Sequence, residues 1–206
     1  MKSESTDFES QKYKPDFDFK KIKINDVGKY SMTRPYEAKQ IVTIIQDELK
    51  MYSFNPKNCI ITDGTCGVGG DTIHFSKYFK SVNAVDILIE NGNILYENCK
   101  TFKIKNVNIF TNNYLNIHNI LKEDILYLDP PWGGIDYKSK DSVKLVLSDL
   151  NMNEILDLIK STHKKPPMIY IKVPLNVDFN YIPNNKKYTI YNKKNTPTFY
   201  LLSLRI

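Results

Sequence analysis

The stretch CIITDGTCGVGGDTIHFSKYFK, residues 59–80, decides the fold because it joins a strand, a glycine-rich turn and a helix. It begins with an apolar run typical of a buried strand, and from Val68 onward its apolar residues have helical spacing. Between the two lie Gly67, Gly69 and Gly70, which would let a ligand approach the backbone closely. This order of strand, glycine turn and helix predicts the first unit of a parallel α/β sheet, with a ligand site at the turn.

The rest of the chain continues to alternate apolar strands with amphipathic helices, which favours a parallel α/β sheet over a bundle or a sandwich. We expect strands at residues 59–66, 81–87, 106–112, 124–129 and 167–175, and helices at 68–80, 88–102 and about 141–164. Two late strands, 187–192 and 197–206, should pair as an antiparallel hairpin at the sheet edge. Before the first strand, residues 31–52 should form an amphipathic helix with Pro35 near its start, where proline is tolerated.

Length and composition narrow the class of protein. The 206 residues, 41% of them apolar, suffice for one globular domain, 21–206, after a polar and loose tail at 1–20. No run is near the roughly 18 apolar residues of a membrane span, and the N-terminus has no secretion signal. Three cysteines and three histidines lack metal-ligand spacing, so we expect no metal, no disulfide framework and an intracellular location. The net charge of +6 suits a nucleic acid partner, or else reflects a biased coding composition.

Two acidic residues near the glycine turn indicate which cofactor the site takes. The spacing is not G-x-G-x-x-G, and Asp63 lies so close to the turn that it would repel the pyrophosphate of a dinucleotide. S-adenosylmethionine carries an ammonium, which Asp63 could pair with, and no phosphate. Asp86 ends the second strand, where it could hold the ribose hydroxyls, and Asn113 and Tyr114 follow the third strand, near the adenine. The alternatives are a turn whose glycines serve packing and a helix N-cap at Asp86.

The stretch YLDPPWGG, residues 127–134, follows the fourth strand and is suited to methylation of an amine. A base amine is a poor nucleophile, but Asp129 and the Pro130 carbonyl could each accept one N–H and direct its lone pair at a methyl donor. Asp129 would also stabilise the positive charge that develops on nitrogen. Trp132 offers a flat face on which the base can stack. The alternative is a proline-rich turn with a core tryptophan.

Five motifs, in their order along the chain, resemble the trimethylguanosine synthase family of cap guanosine-N2 methyltransferases. The residues 63–79, 84–87 and 128–137 are similar to the family patterns D-x-x-C-G-V-G-G-N-T-I-x-F, A-I-D-I and L-S-P-P-W-G-G-P-x-Y. Upstream, IKINDVGKYSMTRP resembles I-K-L-x-x-x-G-x-[FY]-S-x-T-P, and KVPLN lies where the family has L-P-R-N. The likeness extends over about residues 22–206.

The resemblance implies a class I methyltransferase (Rossmann-like) fold, a mostly parallel seven-stranded sheet with an antiparallel C-terminal strand and helices on both faces. It implies S-adenosylmethionine as cofactor and methyl transfer to N2 of 7-methylguanosine, in capped RNA or an m7G nucleotide, with the base on Trp132. It further implies that residues about 21–50 close over the site and that the protein acts as a monomer. The implied cofactor contacts are Thr33, Asp63, Thr65, Cys66, Gly67, Gly69, Asp86, Ile87, Asn113, Tyr114 and Asp129, and the implied substrate contacts are Trp132, Ser31, Lys172 and Asn176.

The chain departs from the family pattern at three positions. Asp129 stands where the family has serine. An aspartate at this position resembles the pattern of amino methyltransferases that act on adenine or ribosomal guanine. Leu175 replaces an arginine directed at the cap phosphates, for which Lys172 or Arg34 could substitute. Arg34 also displaces the expected proline by one position.

The sequence therefore predicts an enzyme that methylates the N2 amine of 7-methylguanosine from S-adenosylmethionine. Two alternatives remain open at this point. One is an N2-guanine or N6-adenine methyltransferase of uncapped RNA or DNA. The other is a non-catalytic cap-binding or RNA-binding module with the same fold.

Overall fold

The computed structural model describes residues 17–163, 167–183 and 185–204. Within these ranges, seven strands form one sheet in the order β3-β2-β1-β4-β7-β9-β8. These strands are β1 (Ile60–Asp63), β2 (Ser81–Asp86), β3 (Val107–Thr111), β4 (Ile125–Leu128), β7 (Met168–Val173), β8 (Lys186–Tyr191) and β9 (Pro197–Leu204). A separate hairpin consists of β5 (Val146–Leu147) and β6 (Leu150–Asn151).

The helices lie between and before these strands. They are α1 (Gly28–Ser31), α2 (Pro35–Met51), α3 (Gly70–Tyr78), α4 (Ile89–Thr101), α5 (Tyr114–Ile117) and α6 (Met152–Thr162). Short 3-10 turns occur at Phe19–Lys21, Pro56–Asn58, Ile135–Ser139 and Phe179–Tyr181. Pro35 is the first residue of α2, as predicted, because a proline there removes no intrahelical hydrogen bond.

The predicted fold class is confirmed. Strands β1, β2, β3, β4 and β7 pair in parallel, whereas β9 runs antiparallel to both β7 and β8. The pairing aligns Asp63 of β1 with Ala84 of β2 and Tyr127 of β4. The carboxyl ends of the three strands therefore meet at one edge of the sheet, where ligands bind in open α/β folds.

Alternate residues of β4 face opposite layers of the core. Ile125 and Tyr127 lie in the cluster formed with α2 and α3, and Leu126 and Leu128 lie in the cluster formed with α6. All four side chains are fully buried. A central parallel strand is covered on both faces, which explains why the sequence of β4 is a continuous apolar run. Asp129 follows β4 directly and leaves the sheet at its ligand-binding edge.

The predicted helix at about 141–164 is wrong in its first half. The helix begins only at Met152, after the β5–β6 hairpin. Ser148 and Asp149 close that hairpin with φ of 50° and 69°. Asn151 then caps α6: its side chain accepts from the Glu154 backbone N–H, and the Glu154 side chain accepts from the Asn151 N–H. This reciprocal cap fixes the start of α6 and excludes a longer helix.

The predicted loose segment 1–20 falls mainly on residues 1–16, which lie outside the described residues. Its last four residues are described, and Phe17 and Phe19 pack against the cluster that contains Ile73 and Leu95. Cys59, Cys66 and Cys99 are buried, and none of them forms a disulfide. In the described part of the chain, no helix is long and apolar enough to cross a membrane, and no cluster of side chains could hold a metal ion.

Candidate active site

Two cavities meet at the carboxyl ends of the parallel strands. The first, here called the turn cavity, has a volume of about 340 Å³ and lies over the glycine-rich turn after β1. The second, the tryptophan cavity, has a volume of about 630 Å³ and is lined by Trp132. Ser31, Met32 and Thr33, which connect α1 to α2, line both cavities and separate them.

The glycines at the turn cavity have two functions: some allow close packing of neighbouring elements, and one leaves its backbone open to a ligand. Gly64 lies so close to β4 that an added Cβ would be 2.7 Å from Leu128 Cδ2. Gly67 has a φ of 50° and open space around it, so a ligand can reach its backbone. Gly69 does not line the cavity, contrary to its prediction as a cofactor contact. Its φ is 100° and an added Cβ would be 2.4 Å from Leu95, so it serves the packing of α3 against α4.

Asp86 lines the turn cavity as predicted and also organises the turn itself. Its Oδ2 accepts from Gly67 N–H at 2.9 Å. Its Oδ1 accepts from Leu88 N–H at 2.8 Å and from Asn91 Nδ2 at 3.0 Å. The N-cap alternative for Asp86 is wrong, because the N-cap residue of α4 is Leu88 and no side chain of the described residues caps this helix. These bonds hold the carboxylate in place while it faces the cavity.

Asp63 does not line either of the two cavities, which corrects its prediction as the ammonium partner. The side chain is 1% exposed and lies beneath the turn. Its Oδ2 accepts from Thr72 Oγ1 at 2.6 Å and its Oδ1 from Thr65 N–H at 3.4 Å. Burial raises the pKa of Asp63 well above its usual range, and the neighbouring Asp71 adds to this rise. Asp63 thus stabilises the turn from within.

Asp71, which the sequence prediction missed, takes the position expected of Asp63. It lines the turn cavity at the first turn of α3. Its Oδ2 accepts from Thr33 Oγ1 at 2.6 Å and from Tyr127 OH at 3.0 Å. Its Oδ1 is buried and has no hydrogen-bond partner among the described residues. A buried carboxylate oxygen without a donor is costly, and a cationic ligand would supply the missing donor.

The remaining predicted cofactor contacts line the turn cavity. They are Thr33, Thr65, Cys66, Ile87, Asn113, Tyr114 and Asp129. Thr65 Oγ1 accepts from Asp129 N–H at 2.7 Å, which ties the turn after β1 to the end of β4. Tyr114 is buried, with its OH bonded to Glu123 Oε1 at 2.8 Å, and Asn113 caps α5 through Leu115 N–H. Burial raises the pKa of the Cys66 thiol well above its usual range, so this side chain is a neutral contact.

Asp129 and Lys172 form a mostly buried ion pair where the two cavities meet. Lys172 Nζ lies 2.7 Å from Asp129 Oδ2 and 2.8 Å from Thr33 Oγ1. Lys172 is 4% exposed, whereas the Asp129 side chain keeps 21% of its surface exposed. Lys172 is therefore paired with a carboxylate, but it also lines the tryptophan cavity, so its contact with the substrate stays a prediction.

Carboxyl groups dominate the electrostatics around Lys172. Desolvation lowers the pKa of Lys172, but Asp129, Asp71 and Glu37 outweigh it, so the pKa is raised and the ammonium stays charged. Burial raises the pKa of Asp129 to about 6, although Lys172 opposes the rise. Burial likewise raises the pKa of Glu37, which accepts from Arg34 N–H. A site with more carboxyl groups than cations favours ligands that carry positive charge.

The tryptophan cavity holds its indole between other aromatic rings. Tyr137 and Phe199 meet Trp132 in edge contacts, with centroid separations of 5.0 and 6.2 Å. Lys172 Nζ lies 5.2 Å from the Trp132 ring centroid. The Trp132 Nε1 atom is buried and without a partner among the described residues. Trp132 is therefore partly a core residue and partly the wall of a cavity.

The two prolines that follow Asp129 lie in different surroundings. Pro130 is buried and lines neither cavity, whereas the exposed Pro131 lines the turn cavity. The predicted substrate contacts Ser31 and Asn176 both line the tryptophan cavity. Asn176 Nδ2 donates to the carbonyls of Tyr137 and Lys140 at 2.9 and 2.8 Å, so it holds the loop that follows Trp132.

The family of the chain follows from comparison with known proteins. A family model described as RNA cap guanine-N2 methyltransferase matches residues 57–201. The chain belongs to this family. A relative from Acanthamoeba polyphaga mimivirus, known as uncharacterized protein L320, is 31% identical over 192 residues, which cover 82% of this chain and 74% of the relative. Trimethylguanosine synthase of Saccharomyces cerevisiae is 29% identical over 126 residues, 58% of this chain and 40% of that protein.

Solved structures agree on the fold. Precorrin-6y C5,15-methyltransferase from Geobacter metallireducens has a TM-score of 0.59 at 12% identity, covering 91% of this chain and 95% of that one. The Streptococcus mutans protein SMU.1697c, solved in complex with SAH, has a TM-score of 0.51 at 20% identity, covering 84% and 98%. At these identities the likeness shows the fold alone. Family and fold together identify the chain as an S-adenosylmethionine-dependent methyltransferase.

Proposed function

We propose that this methyltransferase transfers a methyl group to the exocyclic N2 amine of 7-methylguanosine in capped RNA. The observation that carries the proposal is the position of Asp129. It lines the turn cavity, and its partner Lys172 lines the tryptophan cavity. A group at this point can act on an amine that enters from one cavity toward a methyl donor held in the other.

The residues of the turn cavity fit S-adenosylmethionine. When bound, this cofactor supplies a methyl group on a positively charged sulfur. Asp71 Oδ1, buried and without a partner in the described structure, would accept a hydrogen bond from the ammonium of the cofactor. Asp86 would accept from the ribose hydroxyls, and the open backbone at Gly67 allows close approach. Asn113 and Tyr114 would then border the adenine.

The tryptophan cavity fits a flat, positively charged base. A 7-methylguanine ring is cationic, and a cation over an indole gains about 0.5–2 kcal/mol. Trp132 would supply that face, and the carboxyl groups of Glu37, Asp71 and Asp129 would favour the charge. Lys172 opposes it at close range, but its ammonium is already paired with Asp129.

Asp129 would orient the amine and meet the charge that develops on it. The bond to Lys172 uses Oδ2, so Oδ1 could accept one N–H of the amine. As the new N–C bond forms and the bond from the methyl carbon to sulfur breaks, the nitrogen becomes positive, and a carboxylate beside it is stabilising. The nitrogen then loses a proton to solvent. Lys172 and Thr33 would keep the carboxylate in place.

A side-by-side substrate panel tests the proposal. The purified protein is incubated with labelled S-adenosylmethionine and m7GTP, GTP, ATP or an uncapped RNA, and methyl incorporation is measured. We expect m7GTP to be methylated far faster than GTP, because only the 7-methylated base is cationic. Trp132→Ala should lose this activity and Trp132→Phe should keep a fraction of it. Equal rates on m7GTP and GTP would contradict the cationic-base argument and favour a general guanine methyltransferase. Binding of m7GTP without transfer would favour a non-catalytic module.

A further inference from the structure

A third cavity, here called the side cavity, borders the tryptophan cavity. It has a volume of about 580 Å³. Arg34, Glu37 and Asn192 line both cavities, so the two adjoin along the start of α2 and the turn between β8 and β9. None of the roles proposed above uses this space. Because the two cavities share lining residues, the side cavity is within reach of a chain attached to a base in the tryptophan cavity.

The floor of the side cavity is aromatic and held in place. Phe17, Phe19, Pro35 and Tyr36 line it. Phe19 stacks on His74 with a centroid separation of 5.0 Å, and Phe17 lies beside Phe102 at 5.3 Å. Rings fixed by such contacts lose little freedom when a planar ligand stacks on them. Aromatic floors of this kind bind nucleobases without regard to sequence.

The rim of the side cavity is basic. Lys20, Arg34, Lys193 and Lys194 line it, and the acidic side chains beside them are engaged. Asp18 pairs with Lys21 at 3.5 Å, and Glu37 is buried and accepts from Arg34 N–H. Lys193 and Lys194 are exposed on the β8–β9 turn. The Asn192 side chain holds that turn by accepting from the Lys194 and Thr196 N–H groups.

We propose that the side cavity binds the RNA chain next to the cap, with a nucleobase on the aromatic floor and phosphates on the basic rim. This rests on the proposed function, because the acceptor base must occupy the tryptophan cavity. It makes capped RNA, rather than a free cap nucleotide, the preferred substrate. Aromatic rings interleaved with cations are the combination that single-stranded nucleic acid binding requires, and the net charge of +6 acts in the same direction.

The test compares a short capped RNA with m7GTP in the wild type and in Lys193→Ala/Lys194→Ala. We expect the wild type to prefer capped RNA in kcat/KM, and the double variant to lose about tenfold of that preference. The salt dependence of RNA binding should weaken by about 1.4 in log–log slope, from two lost phosphate contacts at about 0.7 each. Lys105→Ala/Lys122→Ala is the matched control. It removes the same charge from exposed positions before β3 and β4, at the amino ends of the parallel strands and so at the opposite end of the sheet from the β8–β9 turn.

Two outcomes would overturn the proposal. One is a wild type that uses m7GTP and capped RNA with equal kcat/KM, and the other is a preference unchanged in the double variant. If neither substrate accepts a methyl group, the proposed function fails, and binding of a fluorescent uncapped RNA decides the side cavity separately. Binding that weakens in Lys193→Ala/Lys194→Ala but not in the control would support an RNA site. Equal binding in all three proteins would exclude it.

Discussion

Asp129 combines two properties that a catalytic acceptor needs. It is desolvated enough for its charge to act strongly, and it is paired with Lys172 firmly enough to stay in position. Its pKa is about 6, so near pH 7 most of the side chains are ionised and able to accept an amine N–H. An ordinary aspartate pKa of about 4 would instead leave the rate insensitive to pH from about 6 upward.

The first prediction follows from that pKa. Because the proposed reaction uses the ionised form of Asp129, kcat/KM should rise through about pH 6 and level off above about pH 7. Asp129→Asn should lower kcat by about 10²–10³, because the amide oxygen can accept the N–H but carries no negative charge to stabilise the nitrogen. The inflection should also disappear, because the amide does not ionise in this pH range. Asp136→Asn, the same change at an exposed position in the following loop, should keep the profile. An inflection near pH 6 that persists in Asp129→Asn would assign it to another group.

A second prediction separates the two acids near the glycine turn. Asp71→Asn keeps an acceptor at the turn cavity but removes its charge, so S-adenosylmethionine affinity should fall about fivefold, roughly 1 kcal/mol. Asp63→Asn is the same change beneath the turn, and affinity should stay within about twofold, because this side chain does not line the cavity. Titration calorimetry measures both. A larger loss in Asp63→Asn than in Asp71→Asn would restore the original assignment.

At the scale of elements, the sequence predicts the sheet better than the region between β4 and β7. The apolar runs of the central strands, the proline at the start of α2 and the late hairpin are all local signals, and each is confirmed. The helix predicted at about 141–164 overlooked two further local signals. Ser148 and Asp149 suit a tight turn, and Asn151 with Glu154 forms a capping box.

The side-chain directions at the turn could not be read from the sequence. Asp63 and Asp71 both flank the glycines, and which of them faces the ligand depends on contacts that are distant along the chain. Asp71 is held toward the cavity by Thr33 and Tyr127, which are 38 and 56 positions away. In the same way, Lys172 reaches Asp129 only because β7 lies next to β4 in the sheet. The motifs located the site, and the tertiary contacts determined the roles within it.

The third prediction concerns the start of α3. Gly69→Ala should destabilise the protein by about 2–4 kcal/mol, because an alanine at φ of 100° is strained and its Cβ would overlap Leu95. Gly67→Ala, at φ of 50° with open space around it, should cost only about 1–2 kcal/mol. Urea denaturation gives both free energies of unfolding. Equal losses in the two variants would show that α4 can move away from Gly69, and that its packing role is weak.

At the scale of the whole molecule, a basic protein contains a set of buried acids whose pKa values are raised. Burial raises the pKa of Glu123 to about 7 and that of Asp129 to about 6, and it raises those of Asp63 and Glu37 as well. Each of these groups binds a proton more readily in the folded state than in the unfolded chain. The methyl donor and the proposed 7-methylated base both carry positive charge, so their binding would stabilise the ionised form of Asp129 and Glu37 beside the cavities.

The last prediction is that the free energy of unfolding falls as pH rises from about 5 to 7.5. In this interval the folded state holds protons on groups that are already ionised in the unfolded chain, so raising the pH removes stability. Glu123 is the clearest contributor, because its side chain is fully buried behind Tyr114. Burial raises its pKa to about 7, and ionising it in the folded state therefore lowers the free energy of unfolding by roughly 3 kcal/mol at most. Glu123→Gln should therefore flatten the pH dependence while leaving Asp86 and Asp129 untouched. Urea denaturation at pH 5, 6 and 7.5 measures the slope, and saturating S-adenosylmethionine should add more stability at pH 7.5 than at pH 5, because the ionised acids attract its charge. A wild type that gains stability over this interval would contradict the prediction, because the depressed pKa values of surface acids such as Glu97 affect stability only below about pH 5.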